Sequence, residues 1–138
     1  MKKPFRVGRS RTGLGLFATE PIAKDALIVE YRGRRIATVR AQEIERQRAN
    51  KYMFEIDARW TIDGSSRRNL ARYVNHSCEP NAEAELVGGR MMYRALEAIP
   101  AGEEITLDYG EEYYELYLAK TGCRCTTCAP RSAITSRG

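Results

Sequence analysis

Short apolar runs, each broken within a few residues by glycine or charge, set the character of this chain. That pattern predicts short strands more than long helices. Residues 27–31 form an apolar run closed by Gly33. Residues 82–87 and 90–95 make a hairpin pair joined by Gly88 and Gly89, residues that accept the positive φ of a tight turn. Residues 52–56 and 60–63 are two further strands. Between these lies a helix from Thr38 to about Asn50, with Thr38 as N-cap and Val39, Ile44 and Ala49 loosely apolar on a charged body. Shorter helices are expected over 66–73 and 111–120, the second ended by Gly122. No internal repeat or long linker is visible, and the polar tail 129–138 is expected to fray.

A chain of 138 residues suits one domain with a core of its own. Its 43% hydrophobic and 30% charged residues are a globular balance, which excludes a disordered chain. No apolar run approaches the roughly 20 residues of a membrane helix. The basic start, Met1 to Arg6, has no apolar stretch behind it, so no signal peptide is expected. Localisation is left open by this, with the cytoplasm or a nucleus, a host nucleus included, as the expectation. The net charge of +5 is compatible with acidic or nucleic-acid-containing surroundings, and equally with a solvated basic surface. Nothing in the pattern bears on oligomeric state.

The cysteines are Cys78, Cys123, Cys125 and Cys128. Two disulfides among them would need a bridge inside Cys-x-Cys-x-x-Cys, and bridges that short are strained. Clustered at a polar C-terminus, they read better as four thiolates around one zinc ion than as scattered buried thiols.

Three further clusters carry candidate chemistry. Arg11-Thr12-Gly13-Leu14-Gly15-Leu16-Phe17 is glycine-rich, but Pro21 follows and no amphipathic helix opens, so a dinucleotide fingerprint is excluded. It is either a tight turn between strands or a stretch of bare backbone against a ligand. Asn75-His76-Ser77-Cys78-Glu79-Pro80-Asn81 contains the single histidine of the chain and reads as a structured polar loop whose side chains hold something. Glu103-Glu104-Ile105-Thr106-Leu107-Asp108-Tyr109-Gly110 reads as a strand ended by glycine.

Taken in chain order, the glycine turn, Glu30-Tyr31-Arg32-Gly33, Asn75 to Asn81, Glu103 to Gly110 and Cys-x-Cys-x-x-Cys resemble the SET-domain family of protein lysine methyltransferases. The resemblance runs from about Phe5 to Cys128 and implies a mainly β fold with short helices. Its small curved sheets would be closed by a C-terminal pseudoknot that brings Asn75 and Tyr109 together, an exception to the usual absence of threaded chains. It further implies a SET domain over 1–118, with a helical insert at about 38–50, and a post-SET zinc-binding cap with a short tail over 119–138. The expectation is a minimal stand-alone SET domain of bacterial or viral type, without the large flanking domains of many members.

By the same resemblance, main chain at Thr12, Gly13, Leu14 and Gly15 holds the methionine part of S-adenosylmethionine. Asn75 and His76 hold its amino-acid and adenine ends. Tyr109 is the active-site tyrosine, Tyr31, Tyr52 and Leu107 line the substrate channel, and the zinc on Cys78, Cys123, Cys125 and Cys128 is structural. The implied partner is a protein with a target lysine, such as a histone, with nucleic acid nearby. The chemistry is consistent. A lysine of pKa about 10.4 must lose its proton before it attacks a methyl group. A dry aromatic channel beside a cationic sulfonium disfavours the ammonium form.

Two departures stand out. Cys125-Thr126-Thr127-Cys128 is tighter than the family's usual spacing, although metal knuckles accept a two-residue gap. Leu107 stands where the family often has phenylalanine or tyrosine; leucine leaves more room, favouring di- or trimethylation. Two other functions are open to the same residues. A catalytically silent SET-like module would bind peptide or cofactor without turnover. A small zinc-dependent nucleic-acid binder would need basic residues interleaved with exposed aromatics; instead Arg32, Arg34, Arg35, Arg67, Arg68 and Arg72 are scattered.

Overall fold

The computed structural model describes residues 3–11, 13–48 and 52–109. Among them are three small sheets and one α-helix, the mainly β arrangement that the patterning predicts.

The first sheet is built on a hairpin. β1 (Phe5–Ser10) pairs antiparallel with β2 (Gly13–Ala18) in a register that runs from Phe5 opposite Ala18 to Ser10 opposite Gly13. Gly13 has φ 122°, a conformation that L side chains rarely adopt, so glycine is needed where the chain leaves the turn. The other edge of β2 pairs with β10 (Glu104–Leu107). β10 in turn runs parallel to β7 (Asn75–His76), with Thr106 opposite Asn75 and Leu107 opposite His76.

The second sheet holds β3 (Leu27–Glu30), β9 (Arg90–Ala95) and β8 (Ala82–Val87) in the order β3-β9-β8. β9 alternates inward Met91, Tyr93 and Ala95 with more exposed positions, the period of a strand with one buried face. The edge strand β8 presents Glu83 and Glu85 to solvent, and charge there discourages further pairing. Gly88 (φ 56°) and Gly89 (φ 81°) form the expected turn. The third sheet is β4 (Arg34–Ala37), β6 (Trp60–Asp63) and β5 (Met53–Glu55), with β6 central. The faces meet in one core that includes Leu16, Tyr31, Val74, Tyr93, Ile99, Ile105 and Leu107.

Four expectations need correction. α1 spans Thr38–Gln47, and its N-cap is Ala37 without a side-chain cap. The Thr38 hydroxyl is engaged elsewhere, donating to the Asp57 carbonyl (2.9 Å) and lying 2.9 Å from the Thr61 hydroxyl. Val39, expected on the apolar face, is 71% exposed, whereas Ala41 is buried. The helix expected over 66–73 shrinks to a 3₁₀ turn at Leu70–Tyr73. Asn69 is the reason: its buried side chain accepts from Arg32 N (2.9 Å) and donates to the Gly64 carbonyl (3.0 Å), which fixes the preceding residues as a loop. Finally, Asn75 and His76 are a two-residue strand, not loop. The helix expected over 111–120 and the chain beyond Tyr109 lie outside the described residues.

Candidate active site

Parallel pairing of β7 with β10 places Asn75, His76, Leu107 and Tyr109 at one point of the fold. Residues 33 positions apart are thereby locked: Tyr109 N donates to His76 Nδ1 at 3.0 Å, and the two rings lie 5.4 Å apart. The Tyr109 hydroxyl donates to the Val74 carbonyl. Because Nδ1 accepts, the proton of the neutral ring sits on Nε2, which lies 3.4 Å from Cys78 Sγ. Burial pushes the His76 pKa below 6.5, and the nearby Asp108 carboxylate opposes that shift. The ring is therefore neutral at pH 7, as its acceptor role requires.

Asn75 joins this point to the glycine strand. Its Nδ2 donates to the Leu14 carbonyl (2.9 Å) and to Glu104 Oε2 (2.8 Å). Leu14 and Gly15 thus border the same place as Asn75, Gly13 precedes them on the strand, and Thr12 lies outside the described residues. The chemistry of this group of atoms suits a ligand with positive charge. It offers a backbone carbonyl, an amide and the Glu104 carboxylate, beside a strand whose glycines leave the main chain bare.

The residues expected to line the substrate channel form a second group. Tyr31 is 5% exposed and packs on Phe54 (ring centroids 5.0 Å) and Tyr93 (6.1 Å). Its hydroxyl donates to the Tyr52 carbonyl at 2.6 Å, so Tyr31 and Tyr52 are brought together. The Tyr52 ring lies under the Arg72 guanidinium, 4.1 Å from its centroid. Leu107 is 5% exposed and belongs to the core. Tyr93, which sequence reading passed over, connects the groups. Burial pushes its phenol well above 10, and Tyr31 and Tyr109 add to the shift in that order. Its inward place on a clearly alternating strand was the available signal. Ser10 was also missed, and with it the contact that orients Glu104, since that contact spans 94 positions.

Of the four candidate zinc ligands only Cys78, which is exposed, lies among the described residues. Cys123, Cys125 and Cys128 do not. A cleft of about 330 Å³ is bordered by Glu30, Tyr31, Arg32, Arg35 and Arg90, and neither Asn75, His76 nor Tyr109 lines it. Among the described residues no helix is long and apolar enough to cross a membrane.

The chain is similar to known proteins in sequence and in fold. The family described as "SET domain" matches residues 13–110. Histone-lysine N-methyltransferase set-2 of Caenorhabditis elegans is 42% identical over 78% of this chain, and SETD1A of Homo sapiens is 35% identical over 96% of it. The chain spans only 8% of the length of either relative. Among solved structures, the Chaetomium thermophilum polycomb repressive complex 2 superposes with a TM-score of 0.73 at 28% identity, covering 85% of this chain and 16% of that one. The same complex in an autoinhibited conformation bound to S-adenosylmethionine gives a TM-score of 0.69 at 29% identity, covering 80% of this chain and 15% of that one.

Proposed function

Because this chain belongs to the SET-domain family, we propose that it transfers a methyl group from S-adenosylmethionine to a lysine of a basic, histone-like protein. The observation that carries this reading is the meeting of Asn75, His76 and Tyr109 at the β7–β10 pairing, with the Leu14–Gly15 backbone against Asn75. The names of the relatives support the lysine and histone parts. A solved neighbour bound to S-adenosylmethionine supports the cofactor.

When bound, S-adenosylmethionine supplies a methyl group on a cationic sulfonium. The rest is done by side chains of this chain. Asn75 and the Leu14 carbonyl would hold the cofactor's amino-acid end, and His76 its adenine end. The Tyr109 hydroxyl donates a hydrogen bond to the Val74 carbonyl, which leaves the oxygen lone pairs for an incoming amine. The phenol then accepts a hydrogen bond from the lysine and orients it without ionising. Tyr31, Tyr52 and Leu107 exclude water, which favours the neutral amine. Alignment of the reacting atoms supplies much of the rate.

Zinc fits the cysteine chemistry. Cys78 stands two residues after His76, with its sulfur near Nε2, so a metal on Cys78, Cys123, Cys125 and Cys128 would tie residues 119–138 to the cofactor site as a cap. Its role is structural, since methyl transfer requires no Lewis acid. The protein acts at chromatin, where arginine-bearing faces meet nucleic acid near the substrate tail.

Two variants separate binding from transfer. Tyr109→Phe is expected to lose methylation of a histone while binding the cofactor nearly as the parent does. His76→Ala is expected to weaken cofactor binding itself. If both variants methylate as the parent does, the assignment is wrong.

A further inference from the structure

We propose that Glu104 is a positioning residue for the cofactor: tethered by Ser10, it locks the Asn75 amide so that Asn75 meets the ligand only as an acceptor, through Oδ1. This rests on the cofactor reading above and adds residues which that reading does not use.

The amide has two N–H groups, and both are engaged. One points to the Leu14 carbonyl at 2.9 Å and the other to Glu104 Oε2 at 2.8 Å. Both neighbours can only accept, so the nitrogen and oxygen of the amide are assigned without ambiguity. A flipped amide would set its oxygen against a carbonyl and a carboxylate and lose both hydrogen bonds. The carboxylate cannot swing away, because the Ser10 hydroxyl donates to its other oxygen at 2.9 Å. Alternation along β10 places it there: Ile105 and Leu107 enter the core, while Glu104 and Thr106 take the other face, where Thr106 pairs with Asn75. Strand β2 closes the remaining side. A Cβ at residue 15 would overlap Glu104 Oε2 and stand 3.0 Å from Ser10 Cβ and 3.1 Å from Asn75 Nδ2. With its donors engaged, Asn75 recognises a donor group of the cofactor. At the amino-acid end that group is the α-ammonium, not the carboxylate.

The test is calorimetric binding of S-adenosylhomocysteine and of its analogue lacking the α-amino group. Glu104→Ala is expected to weaken the first by about tenfold, the worth of about one hydrogen bond, and to leave the second unchanged. Glu104→Gln should bind like the parent, since its amide can accept from Asn75 and donate to Ser10. In an Asn75→Ala background, Glu104→Ala should cost nothing further. Equal weakening of both ligands by Glu104→Ala, or a Glu104→Gln variant as weak as Glu104→Ala, would overturn the proposal; so would additive losses with Asn75→Ala. If Glu104→Ala does not fold, Ser10→Ala decides: it must weaken the first ligand and spare the second, and sparing both refutes the lock. A parent that binds neither ligand would instead refute the cofactor reading itself.

Discussion

A single methyl group added at Gly64 should damage the fold and the lysine channel together while sparing the cofactor site. Gly64 is buried; its N–H donates to the Tyr52 carbonyl (3.0 Å), and its own carbonyl accepts from Asn69 Nδ2 (3.0 Å). A Cβ built there would overlap three atoms of Tyr31: Cε1, Cζ and the hydroxyl oxygen. Restoring ordinary carbon contacts near ~3.5 Å requires the ring to retreat by about 1 Å. Tyr31 has little room to do so, since it packs on Phe54 and Tyr93 and its hydroxyl is bonded to the Tyr52 carbonyl. Overpacking of this kind costs about 1–3 kcal/mol, and losing the buried hydrogen bond adds about 1 kcal/mol. The expected loss for Gly64→Ala is therefore about 2–4 kcal/mol, a large part of the stability of a small domain. Urea unfolding measures it. Kinetics should show a raised KM for a lysine peptide, with the affinity for S-adenosylhomocysteine unchanged. Tyr31→Phe should cost less in the Gly64→Ala background than in the parent, because the bond it removes is already broken. A loss below about 0.5 kcal/mol together with an unchanged KM would refute this account of the Tyr31–Gly64 contact.

Three further outcomes are expected. His76 has a folded pKa depressed below 6.5, so its stabilising neutral form is fully present above 6.5 and is lost as pH falls through the folded value. Urea midpoints measured between pH about 7.5 and about 5.5 should fall more steeply in the parent than in His76→Asn, and matching profiles would exclude His76 as the cause. The purified protein should carry about one zinc per chain by elemental analysis, and Cys78→Ser should lose both the metal and methylation; a zinc-free, fully active parent would contradict the site. Leu107→Tyr should shift products toward monomethyl-lysine in mass spectrometry and cost about 1–3 kcal/mol, because residue 107 lies in the core. An unchanged product distribution would assign the size limit to another residue.

Local signals carried some elements well. The β8–β9 hairpin was legible because alternation, length and a Gly-Gly turn agree. The helix after Thr38 was legible in its body but not at its start, since the Thr38 hydroxyl turns to Asp57 and Thr61 and leaves Ala37 as the cap. The β1–β2 hairpin was hidden by Gly8, Gly13 and Gly15, residues of poor strand propensity that are placed by pairing across the hairpin, Gly8 opposite Gly15 and Ser10 opposite Gly13. Asn75, His76 and Tyr109 stood out as motifs, yet the contacts that orient them did not. Glu104 reaches Ser10 across 94 positions, and Tyr31 leans on Gly64 only once β3 and β6 have folded into their sheets. Such partners arise from topology, which local patterning does not encode.

The central claim is methyl transfer to lysine, and one measurement addresses it directly. The chain is incubated with labelled S-adenosylmethionine and a panel of histones and cell lysate, and the labelled residue is located by mass spectrometry. The account predicts label on the side-chain nitrogen of a lysine in a basic protein with the parent, and none with Tyr109→Phe at equal cofactor occupancy. Cofactor bound with no lysine labelled, or equal labelling by Tyr109→Phe, would contradict it.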